Sequence, residues 1–113
     1  MPIELDYVIN FVADMNEAVA FYRDTLRPKL RFQSPGWSEF ETGQTVLALH
    51  PSSQDHPAGN NQLAFRVADI HAFQQEMTAK GYQFSMPPRQ QHGVLVARFL
   101  DKNGHEYSVS NRK

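Results

Sequence analysis

Apolar and polar positions along the chain fall into two similar series. Residues 5–12, "LDYVINFV", are rich in β-branched and aromatic types and predict a strand. Met15, Ala18, Val19, Tyr22 and Leu26 then recur at helical spacing, which gives a helix one apolar face. Asp14 stands where an N-cap belongs and Glu17 follows three positions on, the spacing of a capping box. Pro28 is expected to stop this helix, because it lacks an N–H and restricts the residue before it. Short strand patterns follow at 29–33, 37–42 and 45–50, separated by turns at "SPG", 34–36, and "TGQ", 42–44.

The segment "PSSQDHPAGNN", 51–61, has no apolar residue beyond Ala58 and reads as a linker. After it the order repeats. "QLAFRV" alternates as a strand, Asp69 caps a second helix, and Ile70, Phe73 and Met77 line one face of it, with Gly81 at the C′ position. "YQFSM", a Pro-Pro turn, "VLVARFL", the tight turn "DKNG" and "HEYSVS" complete the series. Val12-Ala13-Asp14 returns as Val67-Ala68-Asp69 at the same strand-to-helix junction, about half the chain later. The pattern predicts one domain, 1–113, of two modules: the first over about 1–52, the linker over about 51–61, the second over about 60–113.

Composition narrows the function classes. The 113 residues include no cysteine, so neither disulfides nor Cys-type zinc sites are available and packing alone must hold the fold. With 11 basic and 12 acidic residues interspersed, there is no basic stripe for nucleic acid. No apolar run approaches the roughly 20 residues of a membrane span, and "MPIELDYV" does not resemble a signal peptide. A cytoplasmic protein with neither nucleic-acid nor membrane partners is the expectation.

Three strings in order carry a family resemblance. "VADMNEAVAFYRDTL" matches the opening V-x-D-x-x-x-A-x-x-F-Y-x-x-x-L of the vicinal oxygen chelate superfamily, also called the glyoxalase/bleomycin-resistance/dioxygenase family. "LAFRVADI" is similar to the start of that family's second module, and "FLDKNGHEYSV" to its F-x-D-P-D-G-N-x-x-E-L ending. One departure stands at Leu26-Arg27-Pro28, where the family usually has Leu-Gly. The resemblance implies an α+β fold in which two βαβββ modules form curved mixed sheets around a cavity, with the helices outside.

It also implies where a metal would sit. Metal-dependent members use four side chains, His or Gln, Glu, His and Glu, on four strands. Counted from Asp14, Asp69 and Asp101, and from "VLAL" in the fourth strand, those positions fall here on Tyr7, Ala48, Gln62 and Ser108. A phenol, a methyl group, an amide and a hydroxyl make no site for a catalytic divalent ion. No metal and no cofactor are therefore expected. A shift of two residues in two strands would offer His50 and Glu106 with Gln62 instead, a weak three-point set. The histidines at 50, 56, 71, 92 and 105 form no compact zinc motif, and His56, His71 and His105 are expected in solvent. "DKNG" is too short for a calcium loop.

Without a metal, alternation leaves a lining of Tyr7, Trp37, Glu39, His50, Gln62, Arg66, Glu106 and Ser108. Aromatic walls with a few placed polar groups suit a small molecule, and the two glutamates favour cationic or donor groups on it. Packing or plain solvent exposure explains each of these residues singly; their sharing one face is what points to a site. The resemblance then implies two readings. One is a homodimeric, metal-independent binding protein of the bleomycin-resistance type, sequestering an antibiotic or another aromatic or cationic ligand. The other is a lyase, isomerase or dioxygenase with a displaced metal, or with an acid–base pair such as Glu39 and His50.

Overall fold

The computed structural model describes residues 3–113; residues 1 and 2, included in the expected first module, lie outside them. The fold is α+β and follows the βαβββ order twice. The first series is β1 (Glu4–Val12), α1 (Met15–Phe21), β2 (Lys29–Phe32), β3 (Ser38–Glu41) and β4 (Val46–Pro51). The second is β5 (Asn61–Arg66), α2 (Ile70–Ala79), β6 (Phe84–Gln91), β7 (Val94–Leu100) and β8 (Glu106–Ser110). Two compact units result: Asp6–Gln62, and Leu63–Lys113 together with the residues up to Leu5. No helix among the described residues is long and apolar enough to cross a membrane.

In the first unit the strands run in the order β2-β3-β4-β1, antiparallel except for the parallel pair β1 and β4. Alternation sends Phe40 and Leu49 to one face, where they meet Val19 of α1, with Val12, Met15, Ala18, Tyr22, Leu30 and Leu47 around them. The second unit repeats this arrangement as β5-β8-β7-β6, with β5 and β8 parallel. Phe65, Val67, Ala97, Phe99, Tyr107 and Val109 pack under Ile70, Phe73 and Met77 of α2. Each sheet therefore has one dry face under its helix and one open face.

The caps behave as the spacing predicts. Asp14 Oδ1 accepts from the Glu17 amide at 3.0 Å, and Asp69 Oδ1 from the Ala72 amide at 3.0 Å. Helix α2 ends in a Schellman closure: Tyr82 N–H donates to the Met77 carbonyl and Gly81 N–H to Thr78, with Gly81 at φ 93°.

Two sequence expectations need correcting. The first helix does not carry its apolar face through Leu26. After Phe21 the chain widens into a π-helical turn, Tyr22–Leu26, closed by Arg27 N–H donating to the Tyr22 carbonyl, and Leu26 is left 60% exposed. Proline accounts for the difference, since Pro28 stands where a Schellman closure needs an N–H. The second correction concerns Pro87 and Pro88, which lie within β6 rather than in a turn. Strand β6 is an edge, where missing N–H groups are tolerated, and its register slips between Met86 and Arg89. The hairpin turn falls later, at His92 (φ 50°) and Gly93 (φ 84°), both left-handed as a type I′ turn requires.

Candidate functional site

On the first unit's open face, strand register sets the rows. Ala48 pairs with Ile9 on one side and Glu39 on the other, while His50 pairs with Phe11 and Val46 with Tyr7. Three rings meet there at steep angles. The Tyr7 and Trp37 centroids are 5.7 Å apart at 73°, and those of Trp37 and His50 are 6.2 Å apart at 80°. Trp37 is held from below: its Nε1–H donates to Glu39 Oε2 at 2.7 Å. The other carboxylate oxygen, Oε1, accepts from Arg31, whose Nε lies 3.0 Å away. This bond is the main cause raising the Arg31 guanidinium above its ordinary pKa, with a smaller charge contribution from Glu39.

Tyr7, Trp37, Glu39 and His50 are thus brought together as alternation predicts. Two members of the cluster were not legible in the sequence. Phe11, 4% exposed, lies 5.6 Å from the His50 ring and 4.6 Å from the His56 ring, which stacks on it at 15°. His56 is half-buried rather than solvated as expected. Its loop is fastened to β1 by Ser52 N–H donating to the Val12 carbonyl and by Gly59 and Asn60 bonding Phe11, and that geometry is not written in residue types. His71 and His105 are exposed as expected. His50 is exposed too, and its Nδ1 lies 2.8 Å from the Pro51 carbonyl, so Nδ1–H is the donor.

Gln62 is buried in β5, at 5% exposure. Arg66, Glu106 and Ser108 share the open face of the second unit, since Phe65, Tyr107 and Val109 take the helix side. Arg66 Nη2 contacts Glu4 Oε2 at 3.2 Å, a partly solvated pair of small energetic weight. Glu106 Oε2 accepts from the Ser85 hydroxyl at 2.7 Å. Arg98, opposite Ser108 in register, joins this face and was missed. Alternation within "VLVARFL" places it there, because Ala97 and Phe99 point to the helix. Asp101 shapes the turn before β8: its Oδ1 accepts from the Asn103 and His105 amides and its Oδ2 from the Tyr107 hydroxyl. The His105 amide is the largest cause holding the Asp101 carboxyl below the usual aspartate range. "DKNG" is accordingly a turn built around a carboxylate.

A sequence model of the Glyoxalase/Bleomycin resistance protein/Dioxygenase superfamily matches residues 4–109. The chain belongs to this superfamily. Solved structures share its fold at low identity. The hypothetical protein BH1468 from Bacillus halodurans C-125 is 23% identical with a TM-score of 0.83, over 100% of this chain and 96% of that one. The Streptomyces coelicolor methylmalonyl-CoA epimerase in complex with 2-nitronate-propionyl-CoA is 17% identical with a TM-score of 0.77, covering 95% and 92%. A superfamily member from Vibrio splendidus 12B01 is 13% identical with a TM-score of 0.65, covering 96% of each chain. No curated protein matches.

The superfamily's metal positions can now be tested against the side chains that fill them. Ala48 is wholly buried between Ile9 and Glu39 and offers no donor atom. Ser108 lies between Ala64 and Arg98, and a permanently charged guanidinium beside it opposes a dication. Tyr7 is packed into the ring cluster. Among the described residues, no three His, Asp or Glu side chains gather where one ion could touch them. The residues at these positions do not fit a catalytic divalent ion.

Proposed function

We propose that this protein is a metal-independent small-molecule-binding protein of the glyoxalase/bleomycin-resistance type. Its ligand lays a planar aromatic or cationic group against the wall of Tyr7, Trp37 and His50. The observation that carries the reading is the clamped indole: Glu39 fixes Trp37 from one edge while two rings stand nearly perpendicular to it. A preformed aromatic corner binds a flat or cationic group without first having to order itself. Arg66, Glu106 and Ser108 belong to the second unit's own open face and are proposed as contact residues there; Gln62 is proposed as one in the first unit. Sequestration of an antibiotic by a homodimer is the form of binding the resemblance implies, and the empty-handed donor set at Tyr7, Ala48, Gln62 and Ser108 supports independence from metal.

The enzymatic reading draws less support from the same atoms. Both Glu39 oxygens already accept hydrogen bonds, from Arg31 and Trp37, so the carboxylate is engaged in holding the wall. His50 Nδ1 is engaged with Pro51, and among the described residues no three His, Asp or Glu side chains gather around one point.

Trp37 is the chain's one tryptophan, so its fluorescence reports this wall alone. Titration with a panel of cationic aromatic antibiotics should give saturable quenching that Glu39→Ala weakens. No response across the panel would overturn the binding reading. Stoichiometric uptake of Ni²⁺, Zn²⁺ or Fe²⁺ that His50→Ala abolishes would overturn metal independence.

A further inference from the structure

The second unit's open face carries a guanidinium with one nitrogen that no described residue pairs. Arg98 Nε is buried, and no hydrogen-bond partner for it occurs among the described residues. Its register neighbours are Met86 on β6 and a small side chain on β8. Across β8 stands Ser108, and beyond it on β5 stands Ala64, so two small side chains follow the guanidinium along one row. Arg66 rises from the same face one row further on, opposite Ser110. Glu106, a carboxylate of this face, is turned to the Ser85 hydroxyl.

Leaving a buried donor of a charged group unpaired costs its full desolvation penalty. A lysine would lower the cost by giving up its proton, whereas a guanidinium stays charged. In a domain that is only marginally stable, that is a sizeable penalty for packing alone. Replacement of such a group by an apolar side chain is commonly neutral or stabilising, so the fold itself does not require it. What a side-on guanidinium does require is an oxyanion, since Nε–H and one Nη–H form a fork that matches two oxygens of a carboxylate or phosphate.

We propose that Arg98, with Ser108 beside it, is an oxyanion-binding site on the second unit. It takes the carboxylate or phosphate group of a small molecule, held side-on by Nε–H and Nη–H. The site goes beyond the aromatic wall of the first unit and does not depend on it, because an anion without a ring can be used to test it.

The test is a titration of the ¹⁵N-labelled full chain with acetate and, separately, with inorganic phosphate, at ionic strength held constant with chloride. The Arg98 Nε–Hε and Ser108 amide resonances are followed, with thermal unfolding run in parallel. Saturable shifts with either probe are expected, and the probe that saturates first names the group. Arg98→Met should abolish the shift at Ser108 with a melting temperature equal to or above that of the parent. Arg98→Lys keeps the charge without the fork and should weaken binding about tenfold, equivalent to about 1.4 kcal/mol. The proposal is overturned if neither probe saturates, if the Ser108 shift survives Arg98→Met, or if Arg98→Lys binds as tightly as the parent. A lower melting temperature for Arg98→Met would assign the residue to packing and overturn it as well.

Discussion

The two open faces are built on the same module and have taken opposite solutions. In the first unit polar groups of the corner answer one another: Arg31 and Trp37 both donate to Glu39, and His50 bonds Pro51. In the second unit serines and arginines line the sheet, and one guanidinium nitrogen has no partner among the described residues. Beneath them the dry faces remain alike, each a helix over alternating aromatic and aliphatic side chains. Packing under a helix constrains residue type strongly, because a void or a buried polar group costs several kcal/mol. The far side of the same strand carries no such demand. A repeated βαβββ module is therefore held to one residue pattern on its helix face and not on the other.

Breaking the shared part should have the largest effect. Phe40→Ala in the first unit and Phe99→Ala in the second each open a cavity under a helix, and each should cost about 3–5 kcal/mol in urea unfolding. Similar losses from both would show the two cores to be equivalent supports. A loss under about 1 kcal/mol at either site would mean that its helix does not depend on that ring.

The first open face should respond more weakly. Glu39→Gln removes the charge shared by Arg31 and Trp37 and should cost about 1 kcal/mol or less, because the Arg31 side chain is 39% exposed and solvent screens the pair. The loss should shrink as salt is added, and Trp37 emission should shift as its Nε1–H acceptor changes. A loss that ignores salt would assign the effect to hydrogen bonding rather than to charge.

How far the sequence revealed this arrangement follows from the same asymmetry. Helix-facing residues such as Phe65 and Val67 were legible because burial imposes a period of two, and Asp14 and Asp69 because capping depends on local residue type. Tyr7, Trp37, Glu39 and His50 emerged from alternation as well. Pro87-Pro88 was misread because proline marks turns by habit, yet an edge strand does not need its N–H groups. His92 gave no sign of the true turn, since a left-handed histidine is uncommon. Leu26 was misplaced because apolar spacing says nothing about a switch from α to π hydrogen bonding. His56 reached Phe11 through a loop's backbone bonds, and Arg98 was hidden inside a run that reads as uniformly apolar.

Acid probes the turn before β8. The Asp101 carboxyl is held below its ordinary range chiefly by the His105 amide, with Asn103 and Tyr107 assisting. A depressed carboxylate stabilises the fold above its unfolded pKa, and that contribution is lost as pH falls through the lower folded value. Asp101→Asn should therefore destabilise the protein at neutral pH and flatten the loss of stability on acidification below the usual aspartate range. Equal acid slopes in variant and parent would show that this turn does not couple to folding.

The smallest effect separates the two helix ends. Helix α2 closes on a glycine, Gly81, whereas the π-helical turn after α1 closes on Arg27 at φ 66° and ψ 31°. A side chain in the left-handed region costs roughly 1–2 kcal/mol, and glycine avoids that cost but gives back about 0.4–1 kcal/mol as extra freedom in the unfolded chain. Arg27→Gly should then raise stability by up to about 1 kcal/mol, and Gly81→Ala should lower it by about the same, despite the open space around the added Cβ. Both follow from backbone conformation alone, so both should appear in unfolding curves without a change in ligand binding. A destabilised Arg27→Gly would mean that the arginine side chain itself, and not merely the bend it occupies, secures the exit into Pro28 and β2.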